Sequence, residues 1–401
     1  MSRRVLVIGG GASGLAAAIA AAEQGAAVTV LERLPRVGKK ILLTGNGRCN
    51  LGHEELKPAH YHGRYPHFAD ILADFDTKAF FRRLGLYTRT DSEGRMYPMS
   101  GMAASVLDAL RFYAEQCGVQ MLCGMQVTAL KREGRIWRVS CGERSFSADA
   151  VIAAAGGDAA PSCGTDGNLF AVLRAAGCRV TERKPALCPV PTDPALVKPL
   201  KGLRVRARAS AVVGGKPVRS ETGEVQFTEQ ALSGICMFNL SRIAAFNGKK
   251  AQISLNLLPE YTEQEAREIL RGLCKQRGAL PAAELLSGLL PKRIGETWVK
   301  AACGTANAPA GELLRDAAQQ ERLLALLLDR RFPVTGQASF AQAQVTAGGV
   351  QNLDPQLAVI GQRGLYVCGE AVDLDGDCGG YNLAWAWSSG ARAGRAAAGC
   401  K

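Results

Sequence analysis

The feature that most constrains this chain is a glycine pattern near its start. Gly9-x-Gly11-x-x-Gly14 stands between the apolar run Val5 to Ile8 and a small-residue stretch, Leu15 to Gln24, which reads as a helix ended by Gly25. A second apolar run, Val28 to Leu31, follows, so the opening spells a β-α-β unit. In such a unit the first glycine permits a sharp turn, the second lets backbone approach a pyrophosphate, and the third lets helix and strand pack closely. The unpaired N–H groups of the helix N-terminus then face the phosphates. The glycines alone are a weak signal; Glu32 makes them specific. It ends the second strand 23 residues after Gly9, where a carboxylate can accept hydrogen bonds from the adenosine ribose. Its charge also repels a 2′-phosphate, which favours FAD or NAD over NADP.

A chain of 401 residues, 47% hydrophobic and 21% charged, is long enough for two or three globular domains. Its apolar runs are short: Gly9 breaks the first, and Glu23 stops Ala16 to Ala22, far below the roughly 20 residues that a membrane span needs. The 13 cysteines include no CxxC pair. Reduced thiols and a cytoplasmic location are therefore expected.

Further along, Val127 to Leu130, Arg135 to Cys141 and Ala148 to Ala155 read as strands, the last running into Gly156-Gly157. Composition then shifts. Pro185, Pro189, Pro191, Pro194 and Pro199 mark a linker. Leu203 to Ala211 alternates, with Arg204, Arg206 and Arg208 on one face, as a half-buried antiparallel strand does. Gly214-Gly215 predicts a hairpin turn leading toward a strand at Glu224 to Phe227. Thr262 with Glu265 predicts a capping box before a helix over Ala266 to Gln276, closed by Gly278. Ala282 to Leu290 and Gly311 to Arg331 read as two more helices. From Val345 the strand-and-glycine character returns, so the nucleotide domain is discontinuous.

The far end of the chain chooses between FAD and NAD. Gly364 to Glu370 reads as a strand and glycine turn, followed by Asp373, Asp375, Asp377 and then Gly379 to Leu383 entering a helix. FAD is the longer ligand, and its flavin calls for a second close backbone approach and a second helix N-terminus. Thr44 to Asn50 supplies a third close-approach loop.

In these segments the chain resembles the BaiN-like NAD(P)/FAD-dependent oxidoreductases, also described as aminoacetone oxidase family FAD-binding enzymes. The matching stretches are VIGGGASGLAAAIAAAEQG with Glu32, TGNGRCN, AAAGG ending at Gly157, GEVQFTEQALSGICMFNLSR, LPKRI, QVTAGGV and GLYVCGEAVDLDGDCGGYNLAWAWSSG. Asn46 departs from the glycine that the family more often shows, and Cys236-Met237 from a small-residue pair. The resemblance implies an α/β, Rossmann-like FAD-binding domain over 1–186 and 336–401. A β-barrel-like domain over 187–258 and 309–335 would interrupt it, itself interrupted by a small helical domain over 259–308.

Motifs and resemblance together place FAD against Gly9, Gly11, Ala12, Ser13, Gly14, Glu32, Arg33 and Lys40, and against Thr44, Gly45, Asn46, Gly47, Arg48, Cys49 and Asn50. They add Val127, Ala155, Gly156, Gly369, Glu370, Asp377, Gly380, Tyr381, Asn382 and Leu383. The resemblance also implies hydride transfer, with reduction of double bonds in bile-acid-type intermediates and amine oxidation both open.

The residues for proton chemistry are less defined. All four histidines, His53, His60, His62 and His67, fall in one segment with Pro58 and Pro66. Their spacing suits a solvated loop better than a metal site, yet they are the groups that exchange protons near neutral pH. Cys49 and Cys378 stand too far apart in sequence for an ordinary redox pair. Trp385 and Trp387 read as core. No second dinucleotide fingerprint occurs, so NADH or NADPH would visit the flavin only transiently. The catalytic residue and oligomeric state are left open; the partner expected is a small molecule.

A nucleic-acid-binding flavoprotein is the alternative. Residues 182–331 hold 23 Lys and Arg against 15 Asp and Glu, and the whole chain carries a net charge of +13. A non-catalytic flavin sensor is the third reading.

Overall fold

The computed structural model describes residues 2–315 and 317–399. The chain divides into two units, Met1–Pro185 with Phe340–Lys401, and Ala186–Ser339.

In the first unit, β1 (Arg4–Ile8), α1 (Ala12–Glu23) and β2 (Ala27–Glu32) form as the glycine pattern requires. Five parallel strands make the sheet, in the order Leu365–Val367, Ala150–Ala153, β1, β2 and Gln120–Cys123. Val5, Leu6, Val7 and Ile8 are all buried, which is why this strand is continuously apolar rather than alternating. The stretch read as one strand over Ala148 to Ala155 is two elements. Arg144–Ala148 closes an antiparallel three-stranded meander with Ile136–Cys141 and Ala129–Glu133, and Ala150–Ala153 enters the main sheet.

The closing helix, Tyr381–Ala398, lies against α1. Its Gly390 and Gly394 touch backbone: a Cβ on either would sit 2.3 Å from the carbonyl oxygen of Ser13 or Ala17. The alanine-rich sequence of α1 is the other half of this contact, since only small side chains let two helix backbones approach so far.

The second unit is built on six antiparallel strands, in the order Val190–Pro191, Ala231–Ser233, Lys216–Phe227, Arg204–Val213, Ala251–Asn256 and Arg330–Pro333. A bridge between Thr192 and Val334 joins the two edges, reinforced by Thr192 Oγ1 donating to the Pro333 carbonyl at 2.8 Å. The sheet thus closes on itself. Gly214 and Gly215 both adopt positive φ, 59° and 79°, as a two-residue hairpin loop demands. Helix Ile235–Asn247 packs on the two long strands. Helix Glu263–Arg277 begins with the capping box: the Thr262 and Glu265 side chains each bond the other's backbone N–H.

Two predicted helices are corrected here. Ala282 to Leu290 is a short 3-10 turn, Ala282–Glu284, followed by turns. Pro281 and Pro291 bracket it, and the Ala282 and Ala283 N–H groups bond across to Ala308 and Ala306 instead of starting a helix. Gly311 to Arg331 is a short helix, Ala310–Leu313, then Ala317–Leu328, then the edge strand Arg330–Pro333; Asp316 lies outside the described residues. Pairing of Arg330–Pro333 with Ala251–Asn256 overrides the local helical preference.

Candidate functional site

At the N-terminus of α1 the N-cap is Gly11, and no side chain caps the helix. Leu15 N donates to Gly11 O at 2.9 Å; the N–H groups of Ala12, Ser13 and Gly14 precede that first intrahelical bond and stand ready for an anion. The glycines differ in what they exclude. A Cβ on Gly14 would lie 1.8 Å from the Gly9 carbonyl oxygen, whereas one on Gly11 would meet nothing within 4 Å. The first allows the turn to close; the second leaves open space before the helix end.

Glu32 is buried, its Oε2 accepting from Gly10 N and its Oε1 from Leu34 N, each at 2.8 Å. A carboxylate offers about four lone-pair sites, so both oxygens keep capacity for ribose hydroxyls. Val127 is buried two residues beyond Met125, whose N–H donates to Glu32 O at 2.8 Å. Ala155 and Gly156 follow the strand beside β1, and a Cβ on Gly9 would reach Ala155 Cα at 2.7 Å. Arg33 pairs with Asp166 at 2.7 Å.

Lys40 and Glu370, 330 residues apart, form an ion pair at 2.6 Å. Glu370 Oε1 also accepts from Thr346 N at 3.0 Å, and Thr346 Oγ1 accepts from Asp158 N and Ala159 N at 2.8 and 3.0 Å. This network ties the turn after Gly157 to the Gly369 turn. Sequence reasoning named Lys40 and Glu370 without pairing them and missed Thr346, although it lies in the QVTAGGV stretch.

In the Thr44–Asn50 loop, Thr44 Oγ1 donates to Ile41 O at 2.7 Å. Gly45, Asn46 and Gly47 all take positive φ (56°, 54° and 80°). Asparagine is one of the few other residues that tolerates this conformation, which accounts for Asn46. Arg48 stacks over Tyr97 at 5.0 Å. Cys49 is fully buried, and burial pushes its thiol up to about 12; burial raises Cys378 as well. Neither is primed as a thiolate. Asn50 Oδ1 is buried with no hydrogen-bond partner, which costs about 1–3 kcal/mol. An acceptor left orphaned beside this loop is suited to a donor the protein does not itself supply.

The closing helix also starts on a glycine, Gly380 (φ 102°), with no side-chain cap. Leu383 lies in its first turn. Asn382 holds the preceding loop: its Oδ1 accepts from Gly376 N at 2.8 Å and its Nδ2 donates to Gly376 O at 2.7 Å. The Tyr381 ring stacks with His60 and His53, centroids 4.5 and 5.1 Å apart.

Asp377 is buried and bonds two imidazoles, His60 Nδ1 at 3.0 Å and His62 Nε2 at 2.9 Å. The stretch before His60, residues 54–59, is largely exposed as Pro58 suggested, but His60 and His62 are drawn to Asp377. Strand Tyr61–Gly63 pairs with Leu374–Gly376 and carries His62 into this contact. Among the described residues no group of three acidic, histidine or cysteine side chains is arranged to hold a metal.

Trp385 and Trp387 are buried as expected, yet each does more than pack. Trp385 Nε1 donates to Gly369 O, Trp387 Nε1 to Leu51 O, and Ser389 Oγ accepts from Gly369 N, each at 3.0 Å. The closing helix thus fixes both glycine loops through side chains that read as core in the sequence.

A model of the HI0933-like protein Rossmann domain matches residues 3–396. The chain belongs to this family. A 3-dehydro-bile acid delta(4,6)-reductase from Clostridium scindens is 37% identical, the match covering 98% of this chain and 99% of the relative. A ribosomal RNA dihydrouridine synthase from Haemophilus influenzae is 26% identical, with 96% of each chain covered. The structure of a 3-ketosteroid delta1-dehydrogenase from Sterolibacterium denitrificans shares the fold (TM-score 0.53, 13% identity, 99% of this chain and 100% of that one). As an HI0933-like protein the chain is a Rossmann-type oxidoreductase. No helix among the described residues is long and apolar enough to cross a membrane.

Proposed function

We propose that this protein is an FAD-dependent reductase that delivers hydride and a proton across a carbon–carbon double bond conjugated to a carbonyl. The observation that carries this reading is that one unit presents two uncapped, glycine-started helix N-termini, α1 and the closing helix, one for each end of an extended dinucleotide. In this assignment the N–H groups of Ala12 and Ser13 receive the pyrophosphate, Glu32 the adenosine ribose, and the Thr44–Asn50 loop with Gly380–Leu383 the flavin. FAD, when bound, supplies hydride transfer. The polypeptide orients it, and the positive end of the closing helix stabilises negative charge that develops beside Tyr381.

The substrate class follows from the relatives' chemistry. A 3-dehydro-Δ4,6 bile acid is an extended enone, and dihydrouridine is uridine reduced at a double bond beside a carbonyl, so one reaction type spans both. The higher identity favours a hydrophobic polycyclic enone. NADH or NADPH is assigned a transient role, since the chain carries one dinucleotide fingerprint.

A visible spectrum of the purified protein with identification of the released cofactor tests the first step; no FAD after reconstitution overturns it. Anaerobic mixing with NADH or NADPH should bleach the flavin, and a 3-dehydro-Δ4,6 bile acid should restore its colour. Ribosomal RNA is the second reading, favoured by the dihydrouridine synthase relatives and the positive charge of residues 182–331. Against it, Arg204 and Arg206 are ion-paired with Glu224 and Glu260 at 2.7 and 2.6 Å, and Arg208 donates to Pro259 O at 3.2 Å. Failure to retain ribosomal RNA at low salt ends that reading.

A further inference from the structure

Adding hydride to one carbon of an enone leaves an enolate, and the second carbon must take a proton. The flavin site proposed above contains few groups able to provide it. The Tyr61 hydroxyl already donates to the Tyr381 carbonyl oxygen at 3.1 Å, and burial, with the Asp377 and Glu55 charges, makes the Tyr381 phenol a weaker acid than usual. Cys49 and Cys378 are raised in the same direction. His53 has both ring nitrogens occupied: Nδ1 accepts from Glu55 N at 3.0 Å, which leaves Nε2–H to donate to Glu93 O at 2.9 Å.

His60 is placed differently. Its Nδ1 faces the buried Asp377 carboxylate at 3.0 Å, its ring stacks on the first residue of the closing helix, and its side chain is 37% exposed. A carboxylate only accepts, so Nδ1 carries the hydrogen in that contact. The proton that can be gained and lost is then the one on Nε2, on the ring's other side.

We propose that His60 is the proton donor of the reaction and that Asp377 is its positioning residue. The inference rests on the FAD reading above. In balance, FAD, when bound and reduced by NAD(P)H, would supply the hydride to the substrate double bond. The resulting enolate carbon then forms its second C–H bond as the His60 Nε2–H bond breaks. The ring is left neutral, with Nδ1–H still on Asp377, and solvent returns the proton. His62, bonded to the other Asp377 oxygen at 2.9 Å, fixes the carboxylate's orientation.

Asparagine at position 60 can keep an N–H on Asp377 while giving no proton. The His60→Asn protein should therefore bind FAD and be reduced by NAD(P)H at the wild-type rate. Its reoxidation by a 3-dehydro-Δ4,6 bile acid should fall roughly 100-fold, the scale of general acid catalysis. Asp377→Asn should slow the same step by a smaller factor, about tenfold. Reoxidation of His60→Asn within threefold of wild type overturns the proposal.

A second measurement needs neither substrate nor variant stability. In the 15N-histidine spectrum of the wild-type protein, neutral His60 should carry its hydrogen on Nδ1. A hydrogen on Nε2 with a bare Nδ1 overturns the assignment. If wild-type flavin is not reoxidised by the bile acid, the substrate reading fails, and the tautomer still tests the Asp377–His60 pairing on which the assignment depends.

Discussion

In the unit that carries α1, the helix pair and the first glycine turn bring backbone onto backbone; in the inserted unit a trio of large aromatic side chains is buried together. Gly9, Gly14, Gly390 and Gly394 bring backbone onto backbone, and α1 between them is mostly alanine. The inserted unit instead gathers Trp298, Phe227 and Phe332, all fully buried, with ring centroids 6.4 Å apart. The difference teaches where mutations should act. Contacts closed by glycine are damaged by added atoms, and contacts made by side-chain volume are damaged by removed ones.

The largest effect is expected from the smallest addition. Gly14→Ala places a methyl 1.8 Å from the Gly9 carbonyl oxygen, so the turn must open and the phosphate cradle is lost. The purified variant should hold less than about a tenth of the wild-type flavin, read from the ratio of visible to ultraviolet absorbance, the expected result where strain is forced on a functional backbone. Gly390→Val should go further and prevent the first unit from folding. Near-stoichiometric flavin in Gly14→Ala would break the contrast at its strongest point.

Removal is the matching test in the inserted unit. Trp298 is fully buried, donates from Nε1 to Leu326 O at 2.8 Å and lies under the Arg330 guanidinium at 4.1 Å. Trp298→Ala should cost about 3–5 kcal/mol, seen as a lower denaturant midpoint in hydrogen exchange of peptides from residues 186–339. Thr262→Ala removes one half of the capping box and should cost about 1 kcal/mol by the same readout. A loss below half a kcal/mol for Trp298→Ala would mean that the aromatic cluster is not what holds this unit together.

The contrast also explains what the sequence disclosed. The first unit's glycines are forced by backbone geometry, so their spacing is visible without a structure, as are β1, β2 and the carboxylate of Glu32 at the end of β2. The alternation of Arg204–Val213 and the Thr262 capping box were equally legible, because each is a local rule. Contacts between distant residues were not. Nothing near Lys40 names Glu370 as its partner, and Trp385 and Trp387 carry no local sign that their indole N–H groups hold loops. The pairing of the histidines was hidden for the same reason: Pro58 and Pro66 speak for an exposed stretch, while Asp377, over 300 residues away, organises His60 and His62. The helix drawn across Arg330 and Arg331 failed because strand pairing with Ala251–Asn256 is a tertiary fact.

The smallest effect is expected where the sequence signal was loudest in charge. Arg206 is 65% exposed and paired with Glu260, itself 52% exposed, so solvent screens the pair and it adds little to stability. Its guanidinium lowers the Glu260 carboxyl below the usual range, largely through their hydrogen bond, so protonating Glu260 in acid removes the pair's contribution and raising the pH restores it. Arg206→Ala should leave the denaturant midpoint nearly unchanged at neutral pH, with any difference shrinking further in high salt. The same variant addresses the ribosomal RNA reading, because a phosphate-binding arginine should leave a mark on affinity and on its salt dependence. An unchanged stability together with a several-fold loss of RNA retention would move the basic face from solvated surface to binding surface. Unchanged behaviour in both would leave the inserted unit's positive charge without a nucleic-acid role at this strand.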